Sequence, residues 1–236
     1  MKKRTNHWNI LKCLFMLPLL ALFSVAFTAC DKDDDSPRKG SSNVMAVHAS
    51  PDAAAVVFYL DKSKISAAAI GYGEITNYVS TTDGKRKAEF RGAQDNALLA
   101  TAELDLTEKK NYTVFFAGPV AAADVVAVED DLAAPAQGKA KVRFINLSPD
   151  DTNLDIKVRE GNTLATGRVY KSVSNFLEVD PGAVKYEVLN SQDNSLVFTM
   201  PDFTLEVGKI YTIWIKGSKN GVGDAELGAK IIVHNK

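Results

Sequence analysis

His48, Ser50 and Asp52 fall within five residues, in the stretch His48-Ala49-Ser50-Pro51-Asp52. Imidazole, hydroxyl and carboxylate are the three groups of a nucleophilic hydrolase, where the base takes the hydroxyl proton and the acid orients the base. Here they sit on neighbouring residues around a proline. Proline presets the second position of a turn, and Ser or Asp oxygens take nearby backbone N–H groups. A second Ser-Pro-Asp stands at 148–150, but Asn146 occupies the place of His48. Asn still hydrogen-bonds as a turn requires, but it is no general base. The comparison within the chain favours a turn over a triad, and the protein is expected not to be an enzyme.

Other residues invite a binding reading. Asp151, Asn153 and Asp155 have the D-x-N-x-D spacing of a calcium loop. The sixth position holds Ile156 instead of the sharp-turn glycine, and the twelfth holds Asn162 instead of glutamate. Leu154 and Ile156 also continue a strand-like alternation, so a turn entering a strand is preferred and no metal or cofactor is expected. His48 and His234, without a cysteine partner, make a weak zinc set and read as strand-end caps. Glu129-Asp130-Asp131 reads as a solvated acidic rim. Trp214 and its counterpart Phe115 are candidate surface aromatics for stacking on sugar or a partner side chain, with burial as the competing reading. With His48 they complete the candidate binding residues.

The elements carrying these residues recur. Val44–Asp61 aligns with Val142–Arg159 at an offset of 98, which also places Tyr72 on Tyr170, Asn77 on Asn175 and Gly84 on Gly182. After one inserted residue the offset becomes 99, with Tyr112-Thr113 on Tyr211-Thr212 and Gly118 on Gly217. The reading is one domain in two copies. Asn153 to Arg159 alternates polar and apolar without a break, as does Val184 to Val188, and Val142 and Phe144 interleave with Lys141 and Arg143. Period-two alternation predicts strands with one buried face. Turn dipeptides such as Asp83-Gly84 and Pro181-Gly182 separate them. In the first copy strands are expected near 43–48, 55–60, 74–80, 86–91, 97–105, 112–117 and 124–129. With no helix to carry parallel crossovers, the sheets should be mainly antiparallel. The predicted fold is all-β: two tandem antiparallel, immunoglobulin-like β-sandwiches over 43–135 and 139–236, behind a signal peptide at 1–29 and a polar tether at 30–42.

The stretches VHASPDAAAVVFYLD, YGEITNYVSTTDGK and NYTVFFAGP resemble the bacterial domain-of-unknown-function family DUF4397. That family's opening is His-Ala-Ser-Pro-Asp-Ala-Pro, and Ala54 stands here in place of its proline. The second copy is more diverged, with Asn146-Leu147 for His48-Ala49. The resemblance implies a secreted or surface-bound β-sandwich and brings no functional residues.

The amino terminus sets an expected location. Lys2, Lys3 and Arg4 precede an apolar run from Cys13 to Phe27. That is the order of a signal peptide, and the run is short for a membrane span. Phe27-Thr28-Ala29-Cys30 resembles a lipobox, whose cysteine is acylated, though Phe27 replaces the usual leucine. Asp31-Lys32-Asp33-Asp34-Asp35 resembles a surface-export signal and also suits a solvated tether. Removing residues 1–29, with four basic residues and no acid, takes the formal charge from −1 to −5. An acidic chain without a basic block argues against nucleic acid. Cys13 and Cys30 are the only cysteines, so no disulfide braces the mature fold.

Together these features predict an outer-membrane lipoprotein anchored through acylated Cys30 and exposed on the cell surface. It would act as a binding or adhesion module for a glycan or protein. The alternative is a structural subunit or anchor of a surface fibre or envelope complex.

Overall fold

The computed structural model describes residues 40–150 and 153–235. Residues 38–236 form one compact unit. The described residues are almost entirely β, as the alternation predicts, and their sheets build two sandwiches. The first contains β1 (Ser41–Ala49), β2 (Val56–Leu60), β3 (Ser63–Lys64), β4 (Val79–Thr82), β5 (Gly84–Gly92), β6 (Leu98–Leu106), β7 (Asn111–Ala117) and β8 (Asp124–Asp130). One sheet has the order β4-β1-β7-β8 and the other β3-β2-β5-β6.

The second sandwich contains β9 (Ala140–Asn146), β10 (Leu154–Val158), β11 (Thr163–Arg168), β12 (Leu177–Val179), β13 (Gly182–Val184), β14 (Tyr186–Asn190), β15 (Leu196–Thr199), β16 (Phe203–Leu205), β17 (Ile210–Lys216) and β18 (Gly228–Val233). Its sheets run β12-β9-β17-β18 and β11-β10-β14-β15, with β13 paired to β16. The strand order of the first sandwich recurs. The β13–β16 ladder is set apart where Pro201, which has no N–H to give, separates β15 from β16.

The sheets are mainly antiparallel, as expected, but two details of the strands differ from expectation. β1 pairs with β7 in parallel, and β9 with β17 likewise. The crossover between each parallel pair is made by strands of the facing sheet, so no helix is needed. Also, residues 74–78 are not continuous strand. Only the bridge from Ile75 to Val47 and then β4 follow β1, while Thr76 occupies the Ala46 N–H with its hydroxyl.

Alternation decides where each side chain goes. In β1, Val44 and Ala46 enter the first core with Phe58, Phe90, Val114 and Phe116. The second core is built the same way around Val142, Phe144, Ile156, Tyr186 and Ile213. The intervening residues of β1 and β7 do not meet water. Met45, Val47, Ala49 and Phe115 pack against Ile145, Leu147, Trp214 and Ile232 in a third cluster between the sandwiches. This corrects the one-faced reading of β9, where Lys141 and Arg143 are buried together with Val142 and Phe144. A sheet covered on both faces can hide its polar alternates only if each finds a partner.

Candidate functional site

The stretch that prompted the hydrolase question is a turn at the top of the first sandwich. The Ser50 hydroxyl lies 3.4 Å from Asp52 Oδ1, and the same oxygen accepts the Val120 N–H at 2.8 Å. His48 turns away from both. Its Nε2 donates to the Ala54 carbonyl at 3.0 Å, and its ring packs on Phe116 and Tyr72. Burial pulls the imidazole below its ordinary pKa, against the opposing pull of the Ala54 carbonyl. Nothing places a base against the serine. In the second sandwich Asp150 Oδ2 accepts the Lys219 N–H at 2.8 Å, repeating the work of Asp52. Asn146 spans the Arg168 carbonyl and the Ser148 N–H. In each turn an aspartate ties the loop after the first strand to the loop after the parallel strand.

The two sandwiches lie side by side with these turns at the same end. Near the turns, Tyr72 meets Trp214 edge-on, with Lys216 and Lys230 over its ring. Lys171 pairs with Asp124 at the start of β8. At the opposite end, Asp130 meets Arg143 and Tyr78 meets His234. The described chain also begins at that opposite end, where Ser41 pairs with Thr82 at the foot of β1.

The shared end therefore carries the β1–β2, β5–β6 and β7–β8 loops with their counterparts. Of the seven large apolar side chains exposed among the described residues, five stand there: Leu98, Val120, Val169, Leu196 and Val222. Leu98 and Leu196 are equivalent, following Gln94-Asp95-Asn96 and Gln192-Asp193-Asn194. Asn96 and Asn194 turn with φ of 57° and 58°, a conformation Asn tolerates. This Gln-Asp-Asn repeat was visible in the sequence as a further match at offset 98 and is the signal that marks these tips.

The other candidates resolve differently. Trp214 and Phe115 are 1 % and 0 % exposed and face each other across the seam with ring centres 6.3 Å apart. Neither can stack on a ligand, and their burial, like that of His48, corrects the surface-aromatic reading. The reason is the second sheet face, which the other sandwich covers. Asp151 and Cys30 lie outside the described residues. Asp155 takes the Gly167 N–H and the Ser191 hydroxyl, and Asn153 accepts the Ser191 N–H through its carbonyl.

The acidic rim at 129–131 splits three ways. Glu129 pairs with Lys110 and Asp131 with Lys141, whereas Asp130 is buried against Arg143. His234 is no simple cap. With half-buried Tyr78 it joins the buried Thr212, Arg143 and Asp130 in a polar cluster that the sequence alone did not reveal.

Residues 42–157 match the family DUF4397, a domain of unknown function. No curated protein matches the chain in sequence. Among solved structures, one similar in outline is a family CBM26 carbohydrate-binding module from Eubacterium rectale in complex with maltoheptaose. It shows 10 % identity, a TM-score of 0.27, and coverage of 83 % of this chain and 97 % of that one. A proposed cell-adhesion protein from Bacteroides uniformis shows 12 % identity, a TM-score of 0.25, and coverage of 83 % and 100 %. The TIE protein of Bacillus anthracis shows 13 % identity and a TM-score of 0.24 over 76 % of this chain, which spans about a third (34 %) of that protein.

Proposed function

We propose that this chain, whose residues 42–157 carry the DUF4397 match, is a non-enzymatic binding or adhesion module of the cell envelope. In this reading two copies of one sandwich are held by acylated Cys30 on the outer membrane and exposed at the cell surface. Support for the anchor comes from the basic start, the apolar run and the small residues before Cys30. Two acyl signals or more hold a protein stably, since each buried CH₂ contributes about 0.8 kcal/mol.

One observation carries the binding reading. The aliphatic tips of both sandwiches gather at the end opposite the foot of β1, where the tether joins. Scattered exposed aliphatics need no explanation, but here Leu98 with Leu196 and Val120 with Val222 come from two pairs of equivalent loops at one end, and such a set marks an interaction surface. None of the five tips is aromatic, so the tips themselves offer no flat ring on which a sugar would stack. That favours a protein partner.

The test uses the full-length chain with Leu98→Asp and Val222→Asp together. Binding to envelope preparations should be lost while the circular dichroism spectrum is kept. Unchanged binding would remove the loop end from consideration. Protease shaving of intact cells checks the surface location, and loss of palmitate labelling in Cys30→Ala checks the anchor.

A further inference from the structure

A closed circuit of hydrogen bonds lies at the foot of the seam, and its protons can be placed one by one. Arg143 has only donors, and its Nε–H goes to Thr212 Oγ1 at 2.8 Å. The buried Thr212 hydroxyl also has a hydrogen to place, and His234 Nε2, 2.6 Å away, is the acceptor that takes it. Nε2 is therefore the bare nitrogen, and Nδ1 carries the hydrogen that faces the Tyr78 oxygen at 2.8 Å. Tyr78 in turn donates to Asp130 Oδ2 at 2.6 Å, and Thr113 donates to the same oxygen at 2.7 Å. The circuit closes where Arg143 Nη2 meets Asp130 Oδ1. Three residues of the second sandwich, Arg143, Thr212 and His234, are followed by Tyr78 and Asp130 of the first, so the circuit crosses the seam twice, and only a neutral His234 satisfies every member.

We propose that this circuit is a proton-sensitive latch, closed by neutral His234, and that protonation of His234 opens the foot of the seam between the two sandwiches. A hydrogen on Nε2 would point at a hydroxyl whose own hydrogen then has no acceptor, and Thr212 is fully buried. The new imidazolium would also share one carboxylate with Arg143. The groups facing His234 are Tyr78 from the segment before β4, Asp130 of β8, Arg143 of β9, Thr212 of β17 and the Phe176 ring ahead of β12. Neighbouring Glu129 and Asp131 are taken by Lys110 and Lys141.

A cleft of about 110 Å³ lined by Met45, Tyr78, Val233 and His234 reaches the imidazole, giving room for a few waters. Burial holds His234 down at about 4, with Asp130 pulling up and Arg143 pushing down, so the latch stays shut at neutral pH. The latch does not depend on what the loop end binds.

Trp214 is an internal reporter, because it lies in the seam cluster on β17, two residues along the same strand face from Thr212 of the latch. In the full-length chain with Trp8→Phe it is the only tryptophan. Acrylamide quenching should rise severalfold and reversibly as the pH falls from about 6.5 to about 4, the span between the ordinary and the lowered pKa. The β-type circular dichroism should be retained over that span. The rise should disappear in His234→Gln, which stays neutral and still presents one acceptor and one donor. A rise that persists in His234→Gln, or none in the parent, overturns the latch. If His234→Gln does not fold, the imidazole titration of the parent by NMR decides. A quenching midpoint that tracks His234 supports the proposal, and one that does not overturns it.

Discussion

Asp130 and Arg143 form an ion pair whose side chains are 0 % and 2 % exposed, one from each sandwich. Arg143 stands where the first sandwich has Met45. Asp130 and His234 are likewise equivalent, since each lies two residues beyond the partner of an equivalent threonine, Thr113 or Thr212. Tyr78 bridges Asp130 and His234, and its counterpart Phe176 lies 4.6 Å below the Arg143 guanidinium. The two facing sheets thus place unlike residues at like positions, and the differences pair up into one polar cluster.

Breaking that pair from one side should be severe. Arg143→Met leaves the Asp130 carboxylate buried without a counter-charge, a change that costs about 3–5 kcal/mol. Adding Asp130→Asn should restore much of the loss. Urea unfolding of the single and double variants measures both. A single variant as mild as a surface substitution would mean that water reaches the pair.

Stability should fall in mild acid through His234. Its folded pKa of about 4 lies below the ordinary 6.5. Between those values the unfolded chain binds the extra proton, so stability rises with pH across this window and is lost on acidification. The full span corresponds to roughly 3 kcal/mol at about 1.4 kcal/mol per unit. His234→Gln should flatten that part of the profile, whereas a profile unchanged by the substitution would assign the acid loss to other groups.

The aspartates of the two turns should matter for structure. Asp52→Ala and Asp150→Ala each remove a charge-assisted acceptor from a loop N–H, worth about 1–3 kcal/mol. Asp52→Asn keeps an acceptor and should be milder. Thermal unfolding compares the three. Ester hydrolysis by the parent chain that Ser50→Ala abolishes would reinstate the triad reading.

Trp214→Ala should cost about 3–5 kcal/mol, as expected for emptying a packed aromatic site. Trp214→Phe should cost less, because Phe115 fills the equivalent place in the first sandwich. Chemical denaturation of both variants tests the packing of the seam. Equal losses would indicate that the site collapses around any residue.

Gly118 and Gly217 occupy equivalent turns with φ of 85° and 69°. A Cβ on Gly217 would sit 2.3 Å from the Glu226 carbonyl oxygen, whereas one on Gly118 would meet the Tyr170 hydroxyl at 2.7 Å. Both alanine variants carry the left-handed penalty of about 1–2 kcal/mol. Gly217→Ala should lose more, since a backbone carbonyl moves less easily than a tyrosine tip. Melting temperatures in the reverse order would contradict the geometry.

The β class, the strand periods, the Ser-Pro-Asp turns and the recurring offset were legible in the residues themselves. They rest on alternation, turn chemistry and local spacing, which act between near neighbours in the chain. The parallel pairing of β1 with β7, the burial of Lys141, Arg143, Trp214 and Phe115, and the Asp130–Arg143–His234 cluster were decided by the tertiary structure. A strand's sequence shows that it has two faces, but not whether a second sheet will cover the outer one. That covering face alone turns an exposed aromatic into core and a surface arginine into a buried partner.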